Sequence, residues 1–159
     1  MKKIALLTIG LFMLFSVASI GQGKALGLRF GGGSLVGAEI SYQTPFAGER
    51  LELDLGWGGN SNWNYWNIAG IYQWVMPIES GFYWYLGLGP SLGSWNYVGN
   101  HPDRYDAGLS LSLALNAGIE YNFSEIPLQL SLDTRPELGL INHGDDRWFG
   151  LALGIRYKF

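Results

Sequence analysis

His101 and His143 are the only imidazoles in a chain of 159 residues, and there is no cysteine. The lack of cysteine removes disulfide scaffolds, thiolate zinc sites and cysteine nucleophiles together. His101 neighbours Asp103 and Asp106, and His143 neighbours Asp145 and Asp146. Two such groups meeting across a common mouth would offer nitrogen and oxygen ligands to a divalent cation. The plainer reading, adopted here, is a pair of solvated polar loops, since connecting segments readily collect these residue types. Residues 87–93, GLGPSLG, look superficially like a phosphate loop, but the spacing is not a dinucleotide fingerprint and no helical pattern follows. The larger charged set is Arg29, Glu39, Arg50, Glu52, Asp54, Glu120, Asp133, Arg135, Glu137 and Arg156. What it can do depends on which way these side chains point, and that is decided by the elements that carry them.

Those elements alternate with a period of two, the signature of strands. Over 107–123, Leu109, Leu111, Leu113, Leu115, Ala117, Ile119, Tyr121 and Phe123 share one face, against Ser110, Ser112, Ala114, Asn116, Gly118, Glu120 and Asn122 on the other. The pattern predicts eight strands at about 24–31, 35–43, 49–58, 64–76, 81–93, 107–123, 126–140 and 148–159. Connections at 43–48, 76–80 and 122–125 are short and carry Pro, Gly or Ser. Those at 59–63, 94–106 and 141–147 are more polar; the first connection, 31–34, is short as well. An even number of strands with short turns at one end predicts an all-β, eight-stranded antiparallel up-and-down barrel.

Composition says which side of that barrel meets water. Charged residues are 14% of the chain and aromatics 15%, with 24 glycines, whereas an ordinary soluble domain has about a quarter of its residues charged. The polar face is built of small residues, which suit a narrow lumen, and the bulky face of Leu, Ile, Trp, Phe and Tyr suits lipid. This inversion predicts a transmembrane barrel. Only Lys24 and Lys158 remain as lysines after residue 22, too few for a water-facing exterior. With the N-terminus on the periplasmic side, Phe30, Trp57, Trp66 and Phe149 fall near the outer rim. Tyr42, Trp74, Phe82, Trp84, Tyr121, Phe123, Tyr157 and Phe159 fall near the inner one. These are two belts of the kind aromatic rings form at lipid–water boundaries. Residues 1–22 read as a cleaved signal peptide: Met1-Lys2-Lys3, an apolar run from Ile4 to Phe15, then small residues. The barrel domain is 23–159. No cysteine follows the apolar run, so lipid attachment there is excluded. A formal net charge of −3 leaves no basic excess for nucleic acid.

The charged set falls on the small-residue face. Charges inside a narrow barrel must be paired or wet. They therefore form either an ion-pair plug or the lining of a narrow ion path. The plug is preferred, because eight strands enclose a space just large enough for side chains. Its members are Arg29, Glu39, Asp54, Glu120, Asp133, Arg135, Glu137 and Arg156, with Arg135 as the expected hub among Asp133, Glu137, Glu39 and Asp54.

The whole of 23–159 resembles the small outer-membrane β-barrel family of Gram-negative bacteria, of the OmpA/OmpX-like eight-stranded type. The most specific element is 149–159, FGLALGIRYKF. An alternating strand ending in Tyr157 and Phe159 is similar to the signal by which the outer-membrane insertion machinery recognises such barrels. The resemblance implies a place in the outer membrane, contact with its lipid and lipopolysaccharide, and assembly assisted by that machinery and by periplasmic chaperones. It implies no cofactor, no enzymatic activity, and a structural or surface-interaction role. Because the chain stops at Phe159, the periplasmic peptidoglycan-binding domain of some relatives is not expected. Two alternatives stay open: a lipid-A-modifying enzyme and a narrow ion or small-solute channel. Some barrels of this size act on lipid A with a His, a Ser and an acid near the rim. Here Ile141-Asn142-His143-Gly144 lacks the Ser of the family-like His-x-Ser-Asn pattern, though a triad is defined by geometry rather than sequence order.

Overall fold

The computed structural model describes residues 23–31, 37–59, 61–97, 107–141 and 150–159. It contains nine strand segments and, among these residues, no helix. They are β1 (Ala25–Gly31), β2 (Gly37–Phe46), β3 (Glu49–Gly59), β4 (Trp63–Glu79), β5 (Phe82–Tyr97), β6 (Ala107–Asn122), β7 (Leu128–Thr134), β8 (Glu137–Ile141) and β9 (Leu151–Lys158). β7 and β8 are two halves of one stave, both hydrogen-bonded to β6, so the barrel has eight staves. Each pairs antiparallel with the next, and β1 pairs with β9 from Ala25↔Lys158 to Gly31↔Ala152. Reciprocal bonds between Lys24 and Phe159, at 3.3 and 2.9 Å, finish the seam. The closed ring leaves no free edge from which another chain could add a strand.

Three strands run on beyond their expected ends: β2 to Phe46, β4 to Glu79 and β5 to Tyr97. β5 lengthens at the loop end, by continuing its ladders with β4 and β6; for β2 and β4 the reason lies in the turns. Ala47-Gly48 and Ser80-Gly81 are two-residue connections with φ of 51° and 87°, and of 36° and 90°. Positive φ at both central residues is the hairpin geometry whose twist matches that of paired strands, so the ladder continues to Phe46↔Glu49 and Glu79↔Phe82. The seventh stave departs the other way. A single strand over 126–140 is expected, but the ladder breaks at Arg135-Pro136, because Pro136 has no N–H to donate. The Pro136 carbonyl still accepts from the Leu115 amide at 2.9 Å, which holds the stave against β6.

The interior is the polar side. Among the described residues, sixteen polar or charged residues are buried, against six apolar ones. The exterior carries Leu, Ile, Phe and Trp on every stave, such as Leu28, Leu55, Ile68, Leu88, Leu115 and Leu153. That is the inside-out order of a lipid-embedded barrel. Trp57 and Trp66 face each other as register partners near the end with the longer connections, which we call the loop end. At the opposite, turn end, Phe46, Tyr72 and Trp74 form an edge-to-face series, with centroids 6.4 and 5.2 Å apart. Phe82 lies tilted on Tyr121 at 4.5 Å and Tyr121 meets Phe123 edge-to-face at 4.7 Å, and Tyr157 stacks with Phe159. Phe149 lies outside the described residues, as do residues 1–22, expected to be a signal peptide, and His101 and His143 with their neighbouring aspartates.

Candidate functional site

Each lumen charge stands where strand parity puts it. Arg29 and Glu39 are register partners on β1 and β2, and Arg50 and Gln73 on β3 and β4. Gln43 opposes Glu52, with its amide donating at 2.5 Å. Such neighbours meet simply because directly opposite side chains on one face are close. Other contacts cross the lumen. Arg29 donates from Nη2 to Asp133 Oδ1 at 2.5 Å and from Nε at 3.0 Å, while its Nη1 reaches Glu39 at 2.8 Å. Arg135 leaves the strand break to reach Asp54 at 2.5 Å from Nη1 and Glu39 from Nη2. Glu39 therefore bridges two guanidinium groups. Arg156 is fully buried and divides its donors among Glu52 at 3.0 Å, Ser41 at 2.9 Å and Ser131 at 2.7 Å.

The central set extends toward the turn end through uncharged links. Asp133 accepts from the Tyr85 hydroxyl at 3.2 Å and from Asn116 Nδ2 at 3.3 Å. Asn116 accepts from Gln73 at 2.7 Å, and Gln73 accepts from Arg50 Nε at 2.7 Å. Arg50 then pairs with Glu120 at 2.8 Å and lies over the Tyr85 ring, 5.0 Å from its centroid. Glu137, half-buried on β8, accepts from Ser91 at 3.5 Å. The partners of Arg135 differ from those expected along its own stave. Asp133 is taken by Arg29, and the fork of Arg135 goes to β2 and β3 instead.

Among the described residues, no three His, Asp or Glu side chains converge to hold a metal ion. Tyr157 and Phe159 lie at the seam, on the turn-end rim.

No protein-family model matches this chain, and no curated protein matches it. Solved structures do. The crystal structure of Neisserial surface protein A superposes with a TM-score of 0.64, over 86% of this chain and 95% of that one, at 19% identity. The crystal structure of the N-terminal β-barrel domain of Pseudomonas aeruginosa OprF gives 0.63, over 88% and 100%, also at 19%. The fold is that of the small outer-membrane β-barrels. With under a fifth of residues identical, what is shared is the architecture.

Several members of the lattice escape a search for charges: Tyr85, Gln73, Asn116, Gln43, Ser41 and Ser131. Parity was the available signal, since each shares a face with a charged or small residue of its own strand. Glycine is what makes room for them. A Cβ at Gly118 would lie 2.6 Å from the Tyr85 ring and hydroxyl and from Asp133 Cβ. Gly118→Leu should therefore displace both and cost about 1–3 kcal/mol through overpacking. Urea unfolding followed by tryptophan fluorescence measures it. An unchanged midpoint would mean that Tyr85 and Asp133 do not fill this space.

Proposed function

We propose that this protein is an exported, non-enzymatic outer-membrane barrel that acts as a membrane-anchored scaffold and presents its loop end to lipopolysaccharide or to other molecules at the cell surface. On this reading residues 1–22 are the cleaved signal peptide, and Tyr157 and Phe159 serve recognition by the insertion machinery. The observation that carries it is the lumen: Arg29, Arg135, Glu39, Asp54 and Asp133 bind one another across its width inside an apolar exterior. An ion-pair plug of this kind serves stability and strand register and leaves no passage for solute. The Neisserial and Pseudomonas structures support the membrane setting through their fold.

Two measurements test the proposal. The mature protein should fractionate with outer membranes and change gel mobility on boiling, because a closed ladder resists detergent until heated. Recovery in the soluble periplasm, with one mobility, would rule out the membrane reading. In planar bilayers the wild type should show no steady conductance. A stable single-channel current would replace the plug by the channel reading. A shift in lipid A mass on expression, seen by mass spectrometry, would replace it by the enzyme reading.

A further inference from the structure

The turn end opens into a vestibule of about 370 Å³. Lys24, Arg50 and Lys158 line it, with Glu49, Glu120 and Gln129 among the remaining walls. Both lysines that follow residue 22 thus stand at one mouth. They are diagonal neighbours across the seam, Lys158 being the register partner of Ala25 and Lys24 exchanging hydrogen bonds with Phe159. The acidic groups nearby are already engaged. Glu120 is held by Arg50 at 2.8 Å and by Asn122 at 3.1 Å, and Glu49 accepts from the Val75 amide at 3.4 Å. Arg50 spends Nε on Gln73 and Nη1 on Glu120, while its Nη2 is buried with no acceptor among the described residues. A buried guanidinium N–H without an acceptor is costly.

Three cationic residues line the bowl against two acidic ones, Glu120 ion-paired with Arg50 and Glu49 holding only an amide hydrogen bond, so positive charge is in modest excess there. The cationic residues lie on β3 and on both sides of the β1–β9 seam. A tetrahedral anion with several acceptor oxygens meets that arrangement better than a planar carboxylate. The volume exceeds what a bare oxyanion fills and admits an esterified one. We propose that this vestibule binds a phosphate group, carried by a phospholipid headgroup of the adjoining leaflet or by a small phosphorylated solute. The site lies apart from the central lattice and does not depend on the plug being closed.

The test uses the folded barrel in a maltoside micelle, which contains no phosphate, at constant ionic strength. Inorganic phosphate is titrated and followed by calorimetry and by phosphorus NMR. Binding should saturate, and equal chloride should not compete. Lys158→Gln should weaken binding about tenfold, the worth of one charge-assisted hydrogen bond, and Lys24→Gln should weaken it as well. Both variants should keep the heat-dependent gel mobility of the wild type, which separates loss of the site from loss of the fold. Competition then identifies the source. Phosphatidylglycerol in the micelle displacing phosphate at lower concentration than glycerophosphoglycerol assigns the lipid headgroup; equal potency assigns the solute. Either result supports phosphate chemistry. Non-saturable binding, a Lys24→Gln/Lys158→Gln double variant that binds like the wild type, or failure of both competitors overturns it.

Discussion

Arg135→Ala should cost the folded barrel about 3–5 kcal/mol, the penalty for leaving buried charges without their partner. Its guanidinium is 4% exposed, Asp54 is 0% and Glu39 12%, so little water is at hand to replace it. Glu39 keeps Arg29 at 2.8 Å, whereas Asp54 has no second cation within ion-pair distance among the described residues and bears most of the loss. The urea midpoint of the detergent-solubilised protein, read from gel mobility, measures the change. Arg135→Lys should recover only part of it, because an ammonium cannot reproduce a fork that spans two carboxylates. Arg135→Met combined with Asp54→Asn and Glu39→Gln should recover more, since removing a whole buried ion group is far milder than removing one partner. A midpoint for Arg135→Ala equal to that of the wild type would show that the lattice does not stabilise the fold.

Leu113→Lys and Ser112→Lys, one residue apart, should differ sharply. Leu113 lies on the exterior face of β6, opposite Pro90 and Leu138. A lysine at the midplane of a lipid-facing surface costs about 2–4 kcal/mol. Ser112 is 7% exposed, faces the lumen and pairs with Ser91, whose hydroxyl reaches Glu137 at 3.5 Å. A lysine there has a carboxylate in range and should be the milder change. Yield of folded protein in lipid vesicles, scored by gel mobility, ranks the two. If the Ser112 variant fails and the Leu113 variant inserts normally, the face assignment of β6 is inverted, as a one-residue slip would make it.

Strand number and the polarity of each face were legible in the residues, because both follow from a period-two rule that acts locally. Ser112 and Leu113 point apart whatever the rest of the chain does. The hydrophobic pattern also set which face meets lipid, since small polar residues and bulky apolar ones cannot exchange places in a barrel this narrow. Turn chemistry was less legible. Ala47 and Ser80 adopt positive φ beside Gly48 and Gly81, so the hairpins tighten to two residues and the strands lengthen past their expected ends.

Partner choice lay beyond the sequence. Arg135 lies 96 residues from Glu39 and 81 from Asp54, and nothing in the spacing pairs them. Their meeting depends on the stagger accumulated over every ladder around the ring, and on the Pro136 break that releases Arg135 from its strand. The same closure brings Lys24 beside Lys158 and sets Arg50 in the same vestibule. Alternation assigns a side chain to a face. Only the closed, staggered ring assigns it a height on the barrel axis and hence a partner.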